Sequence, residues 1–367
     1  MATTHYVLEG VIKAEQPLAT CSAALKEAEG GKGKPIPVPH MPTPEGNRLY
    51  FPATGIRGKL RRALRDVLRA NEIRRTGNEK PLSLDQHYLL TLGGIKGDAK
   101  ADKASVDQEA IWRARNVLLS LFGAGDAGYM GMVHGRLAVG NAICESVSTP
   151  HVFSGVRSDD LYRDRSQIEF LSADDIKSLI AQSQGNRDAS TIKREIAALD
   201  KARKAARAAK EADKVEVLSE KITQLEEAME NVKSETGAKV SVGMPLDGWQ
   251  AIPAGAVMRH RLMLNNAKPV ELGALLAALD QFSAMPTLGA HIAAGCGLVS
   301  ARWELFKVET GIGKTSLGVL VLEPFACELS IEAASDSEIF NARQAFQDYL
   351  SGDQFDLSIP SAEACKV

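Results

Sequence analysis

The spacing of apolar and polar positions divides this chain into short strands and amphipathic helices. His5–Lys13 (HYVLEGVIK), rich in Val, Ile and Tyr, reads as a first strand. Residues 14 to 50 carry Gly30, Gly31, Gly33 and prolines from Pro35 to Pro44, and read as a long connection, functional or mobile. In Phe51–Arg69 (FPATGIRGKLRRALRDVLR), Ile56, Leu60, Ala63, Leu64, Val67 and Leu68 recur at helical spacing and form one apolar stripe. Pro52 sets an extended approach to this helix, and Thr54-Gly55 offers a capping hydroxyl followed by a flexible backbone. Ser83–Leu92 and Ser105–Phe122 read as two more helices, the second opened by a capping box of Ser105 with Gln108 and closed at Gly123. A flexible, glycine-rich loop from Gly123 to Gly135 leads into a strand over Arg136–Cys144.

From about residue 148 to 242 the pattern changes. Ala189–Thr236 contains no Gly or Pro and has a long-helix composition. Val215, Leu218, Ile222, Leu225, Met229 and Val232 form a heptad-like seam, whereas the seam begun by Ile192, Ile196 and Leu199 slips in phase before Val215. One straight helix would reach on the order of 70 Å; a helical hairpin turning near Glu211–Lys214 is the reading preferred here. Its first half is basic and its second half acidic, so the arms either neutralise each other or touch RNA or a neighbouring subunit. Beyond Val242, Ala256–Leu264 alternates like a strand and Pro269–Ser283 is a helix begun by proline. Strands over Leu298–Val308, Ser316–Leu322 and Cys327–Glu332 follow, then a closing helix over Ser337–Leu350.

Without the insertions the order is strand, helix, strand, strand, helix, strand. This predicts an α+β, ferredoxin-like (RRM-related) palm with large helical insertions. The palm spans 1–147 and 243–335 with an internal helical insertion at about 71–122; residues 148–242 form a charged helical thumb or arm, and 336–367 a C-terminal helix and tail.

Charge then singles out one helix. The net charge is only −2, so affinity for nucleic acid must come from clustering. Arg57, Arg61 and Arg65 lie four apart in Phe51–Arg69, flanked by Lys59, Arg62 and Arg69, with Asp66 as the only acid. Such a helix is either a solvated amphipathic surface or a grip for a chain of phosphates at a helix N-terminus. Aromatic residues are few, which argues against a surface that works mainly by stacking bases. Five scattered cysteines read as reduced thiols of a cytosolic, hence cytoplasmic, protein; no signal peptide or membrane span is evident.

Catalytic signatures are missing. None of the seven histidines forms a recognisable metal pair, and no serine-hydrolase elbow is present. Gly311-Ile312-Gly313-Lys314-Thr315 resembles the end of a P-loop, but the pattern needs a glycine where Val308 stands and a helix where SLGVLVLE reads as strand; a hairpin turn is the better reading. No cofactor, metal site or catalytic residue is expected.

A first strand leading to YFPATGIRGKLRRAL, then LFG with a glycine-rich loop and the HGRLAV strand, then GAHIAAGCGLV before a late strand, resembles the RAMP superfamily of CRISPR proteins. Within it the chain is most similar to the Cas-seven-type backbone subunit in its type IV version. The resemblance implies a palm that polymerises along a guide RNA as a helical filament, beside other CRISPR effector subunits, and presents the guide for pairing with a target nucleic acid. Gly55, Arg57, Gly58, Lys59 and Arg61 match the helix-opening motif that carries guide-backbone contacts, and Arg62 and Arg65 extend that basic surface. Gly289, Gly295 and Gly297, with His291 among them, match a glycine-rich loop where bare backbone can approach RNA. Type III relatives cut target RNA with an Asp after the first strand, but here the first Asp is Asp66, so cleavage is not carried over. A guide-processing endoribonuclease of the same superfamily and a protein-binding scaffold with a helical arm remain the alternatives.

Overall fold

Strand β1 (Thr4–Ala14) occupies the middle of an antiparallel sheet in the computed structural model, paired on one side with β8 (Val257–Leu264) and on the other with β9 (Val299–Glu309). The structure describes residues 4–20, 23–29, 34–77, 81–94, 105–157, 171–209, 211–236, 244–333, 336–352 and 355–361. Two compact units emerge: Met1–Phe153 with Gly248–Val367, and Ser154–Asp247.

In the first unit, β8 also pairs with β4 (Leu137–Val139) and β5 (Ala142–Cys144), while β10 (Gly313–Glu323) and β11 (Glu328–Ala333) continue the sheet beyond β9. Helix α2 (Ala53–Thr76) lies between β1 and β4 in sequence, and α8 (Pro269–Ser283) lies between β8 and β9. The central order β9-β1-β8-β5 is therefore that of two split βαβ units, the ferredoxin-like arrangement. Strand period places Leu8 and Ile12 of β1, Met258, Leu262 and Leu264 of β8, and Val299, Ala301 and Leu305 of β9 in the core under α2 and α8. Alternate residues Arg259, Arg261, Arg302 and Glu304 are exposed. Ion pairs partly neutralise that outer face: Glu9 with Arg261 (3.2 Å) and Lys314 (2.7 Å), and Glu145 with Arg259 (3.3 Å). Helix α9 (Asp336–Ser351) packs on α8.

Several elements depart from the expected pattern. The connection 14–50 holds a helix α1 (Ala23–Glu29) and a hairpin of β2 (His40–Thr43) and β3 (Gly46–Phe51). Its prolines hid the hairpin, because Pro42 is tolerated only on a sheet edge and β2 is that edge. Helix α3 (Leu84–Thr91) has a capping box of Ser83 with Gln86. The expected helix Ser105–Phe122 is broken into α4 (Val106–Arg115) and α5 (Val117–Phe122) by Asn116, which is extended and whose side chain caps the Leu119 amide at 3.0 Å. The strand expected over Arg136–Cys144 is interrupted at Gly140-Asn141. GIGKT forms the turn between β9 and β10, with Lys314 paired to Glu9 rather than facing a phosphate cradle.

In the second unit, α6 (Ala173–Ala208) and α7 (Ala212–Thr236) form the hairpin, turning slightly earlier than Glu211–Lys214. Ile222 is buried in the seam, and Gly185 makes room for Thr236, whose hydroxyl would lie 2.0 Å from an added Cβ. The described ion pairs, Lys177–Asp174, Arg203–Asp200 and Lys214–Glu211, are each three residues apart along the chain rather than between the arms. Strands β6 (His151–Arg157) and β7 (Met244–Ala251), which the sequence pattern does not reveal, form a separate two-stranded ribbon, of which residues 151–153 and 248–251 belong to the first unit.

Candidate nucleic-acid interface

The first turn of α2 is built differently from the sequence expectation. Pro52, not Thr54, occupies the cap position, with no side-chain cap bond from its own residue. Asn141, in the break between β4 and β5, accepts the Ala53 amide at 2.8 Å, and the Pro52 carbonyl accepts the Gly55 amide at 3.0 Å. The Ala53 and Gly55 amides at the start of α2 are thus already used. Gly55 is required by packing: a Cβ there would lie 2.7 Å from the Phe51 ring.

The three arginines four residues apart have three different surroundings. Arg61 is 5 % exposed; it donates to the carbonyls of Gly123 and Leu89 and lies 5.6 Å from the Phe122 ring centroid. Burial, with a smaller push from Arg57, lowers its pKa to about 10, so it stays charged near neutrality. Its guanidinium pins the loop after α5, and Gly93 leaves space for it, since a Cβ there would sit 2.6 Å from Nη1. Arg57 is exposed and donates to the Phe122 carbonyl. Arg65 donates to Asp66 Oδ1 at 2.7 Å and Thr91 Oγ1 at 3.1 Å, so its charge is partly neutralised. Arg62 makes no hydrogen bond or ion pair among the described residues. Lys59 reaches Thr287 Oγ1 at 3.4 Å; burial, aided by the Arg62 charge, lowers its pKa.

Arg57, Arg61 and Arg62 form one wall of a groove of about 490 Å³, whereas Lys59 and Arg65 lie outside its lining. Thr54, Arg57, Gly58, Arg61 and Arg62 line it from α2, and Gly123–Gly125 with Met132–Gly135 line it from the loop opposite. Among the described residues no carboxylate lines it. The loop is held closed by bonds between Ala124 and Val133 (2.8 and 2.9 Å), and Gly123 and Gly135 meet too closely for side chains. The flexibility expected of this loop is therefore replaced by a fixed second wall, which no local motif marks as part of the site. Gly58 is different: a Cβ there would meet only the Arg62 guanidinium nitrogens at 3.6 and 3.8 Å, an ordinary contact. The fold does not require glycine at 58, yet its bare backbone opens onto the groove.

The second glycine loop adjoins this helix. The Phe51 ring that fills the space over Gly55 also lies 3.3 Å from a Cβ built on Gly289, and the Ala290 amide bonds the Ala19 carbonyl at 2.8 Å. Gly297 is packed against the Leu288 carbonyl, whereas Gly295 (φ +76°) faces open space. His291 is exposed and lies flat on Trp249, ring centroids 3.9 Å apart and planes 10° apart. Trp249 stacks in turn on Phe153 (5.7 Å), and Phe153 on His151 (4.5 Å). The few aromatics of the chain are thus partly concentrated in one column. Only His151 and Phe153 are near each other in sequence; Trp249 and His291 are too distant for any local motif to join them.

The free cysteines described are Cys144 and Cys296, buried, and Cys327, exposed; Cys21 and Cys365 lie outside the described residues. Among the described residues no cluster of three His, Cys, Asp or Glu could hold a metal, and no helix is long and apolar enough to cross a membrane.

No protein-family model matches the chain, and no curated protein matches it. Among solved structures, it is similar to a chain of a type IV-B CRISPR complex at 14% identity and a TM-score of 0.40, covering 82% of this chain and 90% of that one. It is also similar to a chain of the Csm3-Csm4 subcomplex of a type III-A CRISPR-Cas interference complex, at 10% identity and a TM-score of 0.32, covering 96% and 98%. Likenesses this distant say nothing about activity; the groove and the loop must carry it.

Proposed function

We propose that this chain is a non-catalytic RNA-binding subunit that seats the sugar-phosphate backbone of a single-stranded guide RNA along the α2 groove. The observation that carries the reading is the groove itself: Arg57, Arg61 and Arg62 with no opposing carboxylate among the described residues, around a glycine at 58 that packing does not demand. Arginine forks donate two bonds to one phosphate, and a bare backbone lets the strand come close. Such contacts do not read base identity, which suits a protein that must hold any guide and leave specificity to base pairing. Arg57 and Arg62 act as the phosphate ligands, with Lys59 and Arg65 beside them, and Gly295 gives the second loop its open approach. Arg61 belongs to the wall.

In this reading the protein works in a CRISPR effector ribonucleoprotein. It repeats along the guide as a helical homo-oligomer, alongside other effector subunits, and exposes the guide to a target nucleic acid. A repeated head-to-tail interface produces open filaments rather than closed rings. Size-exclusion chromatography with light scattering, on protein with and without guide RNA, tests it. RNA-containing particles whose mass grows with guide length support the reading; a nucleic-acid-free monomer that ignores added guide contradicts it. Cleavage of repeat RNA by the isolated protein, abolished on replacing His134 in the groove, would instead favour a guide-processing nuclease.

A further inference from the structure

His291 has a left-handed backbone, φ 59° and ψ 31°, which side chains other than glycine, asparagine and aspartate adopt at a cost. Its ring is nevertheless exposed, so the core gains little from it. What the conformation achieves is placement: one imidazole face lies against Trp249, and the other is presented at the surface as the last ring of the column His151–Phe153–Trp249–His291. All four rings belong to the first unit. Trp249 is itself buried at 8 % exposure, packed among Ala19, Ala251, Ile36 and Phe153, so the ring beneath His291 is held by the fold. Beside it, Gly295 leaves open space, and Phe51 links the same loop to Gly55 at the start of the groove helix.

We propose that the free face of His291 is a stacking platform for one nucleobase of the single-stranded RNA whose backbone the α2 groove holds. The inference rests on the groove reading and adds a different kind of contact to it, made to the face of a base rather than to phosphate. Stacking on an aromatic ring is tolerant of base identity, because every base has a π-face. It therefore contributes affinity without sequence preference, as the groove does.

The test uses the full-length protein and an RNA oligonucleotide of mixed sequence, unlabelled or carrying 2-aminopurine at successive positions. His291→Asn tolerates the left-handed backbone but removes the aromatic face; His291→Tyr restores one. The expected result is an affinity weaker by roughly fivefold or more for the Asn variant, with an unchanged dependence of log Kd on log salt because every phosphate stays gripped. A position-specific 2-aminopurine signal disappears with it, and both effects recover in the Tyr variant. Wild-type affinity and signal in the Asn variant would overturn the platform while leaving the groove intact. Equal impairment of the Asn and Tyr variants would also overturn it, because loop geometry rather than stacking would then be responsible. Failure of the wild-type protein to bind RNA would reject the groove and the platform together.

Discussion

The indole nitrogen of Trp303 donates to Nδ1 of His260 at 3.2 Å, joining β9 to β8 across Gly10 of the strand between them. Both side chains are buried, and neutral imidazole is the form whose Nδ1 can accept this bond. Burial lowers the pKa of His260 to about 4, against a smaller opposing pull from the Gly140 backbone.

This pair predicts acid sensitivity. In the unfolded chain His260 titrates near its ordinary value of about 6.5. Between that value and about 4 the unfolded state binds a proton that the folded state refuses, so stability falls as pH falls through the window. The loss is on the order of 3 kcal/mol, complete below the folded pKa. Denaturant melts at pH 7 and pH 4.5 should show a loss that His260→Gln largely abolishes. An equal loss in that variant would assign the acid sensitivity elsewhere.

Arg61 and Arg62 are neighbours with opposite expected roles. Replacing Arg61 by Ala strands the buried carbonyls of Gly123 and Leu89 and should cost about 2–4 kcal/mol. Arg62→Ala should leave thermal stability near wild type while weakening RNA binding. Melting curves of the two variants, side by side, check the division; equal destabilisation would contradict it.

Gly58 predicts a trade-off between stability and function. A glycine inside a helix is less favourable than alanine by about 0.5–1 kcal/mol, and the space at 58 accepts a methyl. Gly58→Ala should therefore raise stability by about that amount and lower RNA affinity by filling the approach. If affinity were unchanged, the groove floor would not be in contact with RNA. Gly55→Ala should do the reverse and destabilise, because its methyl would meet the Phe51 ring at 2.7 Å.

The split between these residues shows where sequence reading stops. The stripe of Ile56, Leu60, Ala63, Leu64 and Leu68 carries its own helical period, so α2 and its buried face are legible. So is the palm order, since α8 and the strands beside it have clean periods. Spacing alone cannot say which part of a cationic helix face another element will cover. Arg57, Arg61 and Arg65 therefore look equivalent until α3 and the loop after α5 close over Arg61. Asn116 and Asn141 read as ordinary polar residues, yet each caps a helix through a side-chain bond that exists only in the fold. The β6–β7 ribbon escapes notice because Trp249, which stacks on Phe153, and His291, which stacks on Trp249, lie far from Phe153 in the chain.

The most direct test of the central claim is the salt dependence of RNA binding by the wild type and by the double variant Arg57→Ala, Arg62→Ala, on two unrelated sequences. If these arginines grip phosphates, the slope of log affinity against log salt becomes shallower by about 1.4, roughly 0.7 for each single-strand phosphate released, and by the same amount on both sequences. An unchanged slope, or a weakening confined to one sequence, would mean that the groove does not hold the RNA backbone.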